Sequence, residues 1–169
     1  MKRCACALAI CLLLLCSSGS LIFAQQLPNS NPIFISNQTK ITIADIIALS
    51  RERPILLELT FQSGILSTLS ENELYTFFAP TEEALKELQY ENAQNLSAIM
   101  LHHIVPGKYM LADLKDGIKL PTLAGDSLTV YRKRREILVD SVPVSRNVEI
   151  ARNGVIHTIG DILKPINLE

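Results

Sequence analysis

Apolar and polar positions follow three successive patterns along this chain. An uninterrupted apolar run from Ala5 to Leu15 comes first, preceded by Lys2 and Arg3 and followed by the small polar stretch Ser17-Ser18-Gly19-Ser20. That order is the secretory signal pattern, and the run is too short to span a bilayer as a mature helix. Cleavage is expected after Ala24, with Ser20 as the alternative. Residues 25–40 are polar with two prolines and read as a flexible tether.

From Ile41 the apolar positions recur at helical spacing. Thr42 caps a helix, Asp45 completes a capping-box pair, and Ile43, Ile46, Ile47 and Leu49 form the inner stripe. Pro54 suits the first turn of a second helix, where its missing N–H would be unpaired anyway. Leu56, Leu57 and Leu59 fill that helix's buried stripe, and Gly64 ends it. Ile65 to Leu69 adds one helical turn. The aromatic and β-branched segment Leu74–Ala79 predicts a strand, ended by Pro80-Thr81. Thr81 then caps a helix carrying Glu82 and Glu83 in its first turn, where the helix dipole favours negative charge. Ala84, Leu85 and Leu88 face inward there. A further helix is predicted from Asn95 to His102, with Leu96, Ile99, Met100 and His103 inward.

Beyond His103 the period shortens towards two. Ile104-Val105 is extended, Pro106-Gly107 turns it, and Leu111 to Lys115 forms a brief helix. Strands are predicted at Leu120–Leu123, Ser127–Arg132, Glu136–Val139, Val142–Val144, Val148–Ile150 and Val155–Ile159, divided by Gly125, Asp140, Asn147 and Asn153-Gly154. Helices gathered in the first half and short strands in the second give an α+β domain with a mixed or antiparallel sheet of about seven strands and several flanking helices.

Removing residues 1–24 leaves 145 residues, enough for one domain with a real core. All four cysteines (Cys4, Cys6, Cys11 and Cys16) lie in the leader, so the mature part has no disulfide, thiol catalysis or thiolate metal site. Leu13-Leu14-Leu15-Cys16 offers a competing lipoprotein reading, weakened by the bulky Leu15 before the cysteine; a membrane attachment is expected only if Cys16 is lipidated. The leader carries two of the sixteen basic residues and none of the seventeen acidic ones, so the mature charge is −3, which points away from nucleic acid. No G-x-S-x-G elbow, phosphate-binding glycine loop or H-E-x-x-H motif occurs, and neither catalysis nor a cofactor is expected.

His102 and His103 are adjacent and point in different directions, and His157 lies in an apolar strand. A hydrogen-bonded structural role for His103 and His157 is therefore favoured over a metal site. Arg132-Lys133-Arg134-Arg135 is the densest charge run. It reads first as the solvated tip of a hairpin, and more sharply as a contact for an anionic glycan. Asn37-Gln38-Thr39 and Asn95-Leu96-Ser97 fit the glycosylation sequon.

Two segments, Thr76-Phe77-Phe78-Ala79-Pro80-Thr81-Glu82-Glu83-Ala84 and Asn153-Gly154-Val155-Ile156-His157-Thr158-Ile159 with Ile162-Leu163 and Pro165 behind it, resemble signatures of the fasciclin domain family. Between them, Leu101 to Gly107 is similar to the family's central histidine segment and Leu123-Ala124-Gly125 to the stretch that follows. The resemblance covers about Ile41 to Pro165, so the chain divides into a leader (1–24), a linker (25–40) and a fasciclin domain (41–169). It implies a wedge of sheet and helices, with Thr76, Phe78, Ala79, Pro80, Thr81, His103, Asn153, Gly154 and His157 as motif residues. It also implies a non-enzymatic role in adhesion, matrix organisation or envelope-surface contact, with cell-surface or matrix proteins or glycans as partners. The segment used for partner contact in some animal members falls at Asn147–Ala151, where only Glu149-Ile150 keeps the acidic-plus-isoleucine core. Two rival readings stay open: a carrier holding an apolar ligand between helices and sheet, and a hydrolase built from unmarked Ser, His and Asp residues.

Overall fold

A computed structural model describes residues 40–165. The leader, its cysteines, nearly all of the linker and the sequon at Asn37 lie outside the described residues.

Five short helices and a 3-10 turn precede most of the sheet. They are α1 (Ile43–Leu49), α2 (Pro54–Gln62), α3 (Ile65–Thr68), α4 (Glu82–Leu85), the 3-10 turn Lys86–Tyr90 and α5 (Ala93–His102). The strands are β1 (Tyr75–Pro80), β2 (Ile104–Pro106), β3 (Lys119–Pro121), β4 (Ser127–Lys133), β5 (Glu136–Val139), β6 (Val142–Ala151) and β7 (Gly154–Ile159). They form one seven-stranded sheet in the order β2-β1-β7-β6-β5-β4-β3, as expected of an α+β domain with a mixed sheet. Only β1 and β7 run parallel, joined through the whole middle of the chain. The sheet curls so far that Leu123, just past β3 at one edge, donates its N–H to the carbonyl of Ile104 in β2 at the other (2.9 Å).

Strand alternation divides the interior in two. Tyr75, Phe77 and Ala79 of β1 and Ile156 of β7 face the helices, packing with Ile43, Leu56, Leu59 and Met100. Phe78 of β1 and Ile159 of β7 face the hollow of the curled sheet, with Val105, Leu114, Leu128, Val130 and Val139. β1 is therefore buried along its whole length, which explains why its sequence is apolar without alternation.

The capping box at Thr42 and Asp45 forms as the sequence predicts, and hydrogen bonds from Thr42 hold the Asp45 carboxyl below its usual range. Other local expectations need correction. Thr81 makes no side-chain cap on α4; its hydroxyl reaches the carbonyl of Gly160 (3.3 Å) instead. Leu49 is exposed rather than part of the α1 stripe. The last long helix starts at Ala93, two residues before Asn95, because Asn92 caps it. Leu111 to Lys115 is a turn and not a helix. The Asp113 carboxylate accepts from the Met110 N–H (2.9 Å), offering the backbone a local alternative to helix. Asn147 divides nothing. β6 runs through it, advancing four residues from Val144 to Val148 while β7 moves two, and a bulge absorbs the excess.

Candidate functional site

The motif residues converge on the β1–β7 seam and its ends. Thr76, fully buried on β1, donates to the carbonyl of Gly107 (2.7 Å) and accepts from the N–H of Tyr109 (2.9 Å). From β7, His157 Nε2 donates to the carbonyl of Tyr109 (2.7 Å) and its ring stacks on Phe78, with centroids 5.5 Å apart. The segment 107–109 is thus clamped from two strands. Ala79 turns to the helices, and Pro80 closes β1 opposite Ile159. His103 uses both ring nitrogens: Nδ1 donates to the carbonyl of Ile99 (2.8 Å) and Nε2 accepts from the N–H of Leu163 (3.0 Å). Burial pushes its pKa down to about 4 and lowers that of His157 as well, so both rings are neutral at pH 7.

Asn153 is more than the turn-former its sequence suggests. Its amide donates to the carbonyls of Leu69 and Glu71 (both 2.8 Å) and accepts from the N–H of Ile43 (2.8 Å). Gly154 then passes so close to β1 that a Cβ there would lie 1.8 Å from the carbonyl oxygen of Tyr75.

His102 Nδ1 lies 2.7 Å from Asp126 Oδ1, and the Thr122 hydroxyl donates to that same oxygen. Burial opposes ionisation of Asp126, but these two hydrogen bonds hold its pKa below the ordinary value. The hydroxyl is committed to the carboxylate and is not aimed at the imidazole, so the trio is not arranged as a nucleophile and its base. The space between helices and sheet, where an apolar ligand would sit, is filled by Phe77, Ile156, Leu56 and Leu59, all fully buried.

The surface differs. Glu149 of β6 is ion-paired with Arg53, the residue preceding α2, and its neighbour Ile150 is 43% exposed. The four-residue charge run sits at the β4–β5 hairpin tip, as the sequence suggests: Lys133 pairs with Glu136 across the loop Arg134-Arg135. Arg134 adopts a positive φ of 45°, a conformation costly for a side chain of its size. Beside the tip lies a groove of about 340 Å³ walled by Arg132, Arg134, Arg135 and Arg146. Its floor is Leu111, Ile137 and Val144.

The groove follows from strand alternation. On the face turned to the hollow, β4 reads Leu128, Val130, Arg132, while β5 reads Val139, Ile137 towards the same end and is preceded there by Arg135 of the hairpin loop. β6 reads Val142, Val144, Arg146. All three rows begin in the core and finish on an arginine. Arg146, whose guanidinium donates to the carbonyl of Arg135 (2.7 Å), escapes a reading of the charge run alone. The signal lies in the topology: β6 runs antiparallel beside β5, so Arg146 lies at the end of β6 nearest the β4–β5 hairpin loop.

Comparison with known proteins places this arrangement among relatives. The sequence model of the fasciclin domain matches residues 53–165. The chain is 30% identical over 131 residues to the pig (Sus scrofa) transforming growth factor-beta-induced protein ig-h3, covering 73% of this chain and 19% of that protein. It is 29% identical over 139 residues to protein sll1483 of Synechocystis, covering 77% of each. Among solved structures, a FAS1 domain pair from the insect cell adhesion molecule Fasciclin I superposes with a TM-score of 0.62 at 16% identity, covering 74% of this chain and 51% of that one. The chain therefore spans about a fifth of the pig protein and about three quarters of the Synechocystis one.

Proposed function

Since the chain belongs to the fasciclin domain family, we propose that it is a non-catalytic, extracytoplasmic module for adhesion or for contact with matrix and cell surface, exported by cleavage of residues 1–24. The observation that carries this reading is the division of labour between interior and surface. Thr76, Thr81, His103, His157 and Asn153, the polar residues of the family motifs, hydrogen-bond within the domain and tie it to itself. Groups engaged in this way are structural and leave function to the outside. A solved relative of the same fold is a cell adhesion molecule. The surface around Glu149 and Ile150 on β6 and the cationic tip of the β4–β5 hairpin are the contact regions of this reading.

The test is retention. Surfaces coated with the folded chain should hold host cells or isolated host matrix, and surfaces coated with the heat-unfolded chain should not. Equal retention by both, or a chain that stays inside the cytoplasm with residues 1–24 still attached, overturns the proposal.

A further inference from the structure

Four guanidinium groups lie around one groove, and no carboxylate among the described residues forms an ion pair with any of them. The nearby Asp116 accepts from the backbone N–H of Arg132 (2.7 Å), which leaves the side-chain charge unspent. Crowding like charges at one end of a sheet is unfavourable, and Arg146 of β6 reaches the backbone of Arg135 in the hairpin loop. Arg134 adds backbone strain at a hairpin position where glycine or asparagine would fit without it. These are costs the fold itself does not require, and they gather at one end of one apolar trough.

We propose that this groove binds an anionic polysaccharide, a chain of sugar rings bearing sulfate or carboxylate groups. A pyranose ring has an apolar face of C–H bonds and a polar edge carrying its charged substituents. The floor of Leu111, Ile137 and Val144 accepts the first, while the arginines on the walls meet the second with forked N–H donors. A lipid headgroup surface fits less well. The apolar residues that would have to enter a bilayer are recessed and partly buried beneath the arginines, whereas membrane-binding surfaces present theirs outermost. The mature net charge of −3 sharpens the choice, because attraction to a polyanion then has to come from this local field rather than from the whole molecule. The inference rests on the reading of the chain as a surface-binding module and names the class of its partner.

The experiment measures binding of the purified full chain to heparin, to hyaluronate (carboxylate only) and to neutral dextran, alongside phosphatidylglycerol vesicles. The wild type should bind the two charged polymers and not dextran, with affinity falling as salt rises. The double variant Arg135→Ser/Arg146→Ser should lose about tenfold or more in heparin affinity, with an unfolding midpoint close to that of the wild type because the one bond it removes, from Arg146 to the Arg135 carbonyl, is exposed. The control Arg51→Ser/Lys86→Ser makes the same change in net charge at exposed positions, the turn between α1 and α2 and the start of the 3-10 turn, and should lose less than about twofold, as expected of net charge alone. Equal losses in both double variants, no binding to either charged polymer, or binding to the vesicles as tight as to heparin would each overturn the inference. Retention of host cells or matrix by the Arg135→Ser/Arg146→Ser chain would leave the adhesion reading standing while removing the groove from it.

Discussion

The side-chain amide of Asn153 donates to the carbonyl of Leu69 at 2.8 Å, across 84 positions of sequence. With its further bonds to Glu71 and Ile43, this one buried residue ties the end of α3, the start of α1 and the β6–β7 turn together. Asn153→Ala leaves the Ile43 N–H and the Glu71 carbonyl without that partner, and urea unfolding should show a loss of about 3 kcal/mol. Asn153→Asp keeps the acceptor for Ile43 but points a carboxylate at two carbonyls, so it should be at least as damaging. A loss under about 1 kcal/mol for both would show that the staple is dispensable.

Gly154 next to it is fixed by space. Its φ of 149° and the 1.8 Å approach of a hypothetical Cβ to the Tyr75 oxygen mean that even a methyl group must push β7 from β1. Gly154→Ala should cost about 3 kcal/mol or more, whereas Gly125→Ala, strained at φ 93° but with open space, should cost about 1–2. Thermal melts of the two variants decide the ranking.

Glu82 caps a helix that is not its own. Its two carboxylate oxygens accept from the N–H groups of Ile55 and Leu56 (3.0 Å each) at the start of α2, where Arg53 provides no side-chain cap. Glu83, one residue on, meets only the exposed Lys86. Glu82→Ala should therefore lose about 1–2 kcal/mol, and Glu83→Ala less than about 0.5. Equal effects would restore the simpler idea that both glutamates merely favour the start of α4.

These residues show where the sequence was readable. The Thr42–Asp45 box, the β1 strand and the Asn153-Gly154 turn each depend on neighbours within a few positions, and each was legible. The roles of Glu82 and Arg146 depend on which elements the fold brings together, 26 residues apart for Glu82 and Leu56. Local pattern assigned Glu82 to its own helix and left Arg146 unremarked. Thr81 misled for the opposite reason: a good capping residue found a tertiary partner in Gly160. At Asn147 a turn-forming residue was absorbed by a bulge, because the strand on either side of it pairs with the same partner, β7.

Thr76 offers a substitution that keeps shape and removes chemistry. Valine occupies nearly the same volume and suits a strand, so Thr76→Val should preserve β1 while unpairing the Gly107 carbonyl and the Tyr109 N–H. A loss of about 1–3 kcal/mol follows. The local signature is faster hydrogen exchange at the Tyr109 N–H, leaving that residue held only through its carbonyl by His157. Unchanged exchange there would mean that the clamp on 107–109 does not need β1.

The buried histidines set the response to acid. His103 sits fully buried with Nε2 accepting from the Leu163 N–H, and a proton on that nitrogen would break the bond and place a charge in the core. Its pKa in the fold is about 4, against 6.5 when unfolded. Between those values the unfolded chain binds a proton that the native chain does not, so stability is complete above pH 6.5, falls as pH drops, and levels off near pH 4. A shift of this size corresponds to about 3 kcal/mol. His157, lowered in the same direction by burial, adds to the slope. The lowered carboxyls of Asp126 and Asp45 act in a separate window, since their contribution fades only as pH falls below the ordinary 3.8. Urea unfolding at several pH values between 7 and 4.5 should therefore show steadily falling stability in the wild type. The His103→Gln chain, less stable at pH 7, should show a slope smaller by up to one proton. If both chains lose stability in parallel across that range, the acid response belongs to other groups and the His103–Leu163 bond is not its origin.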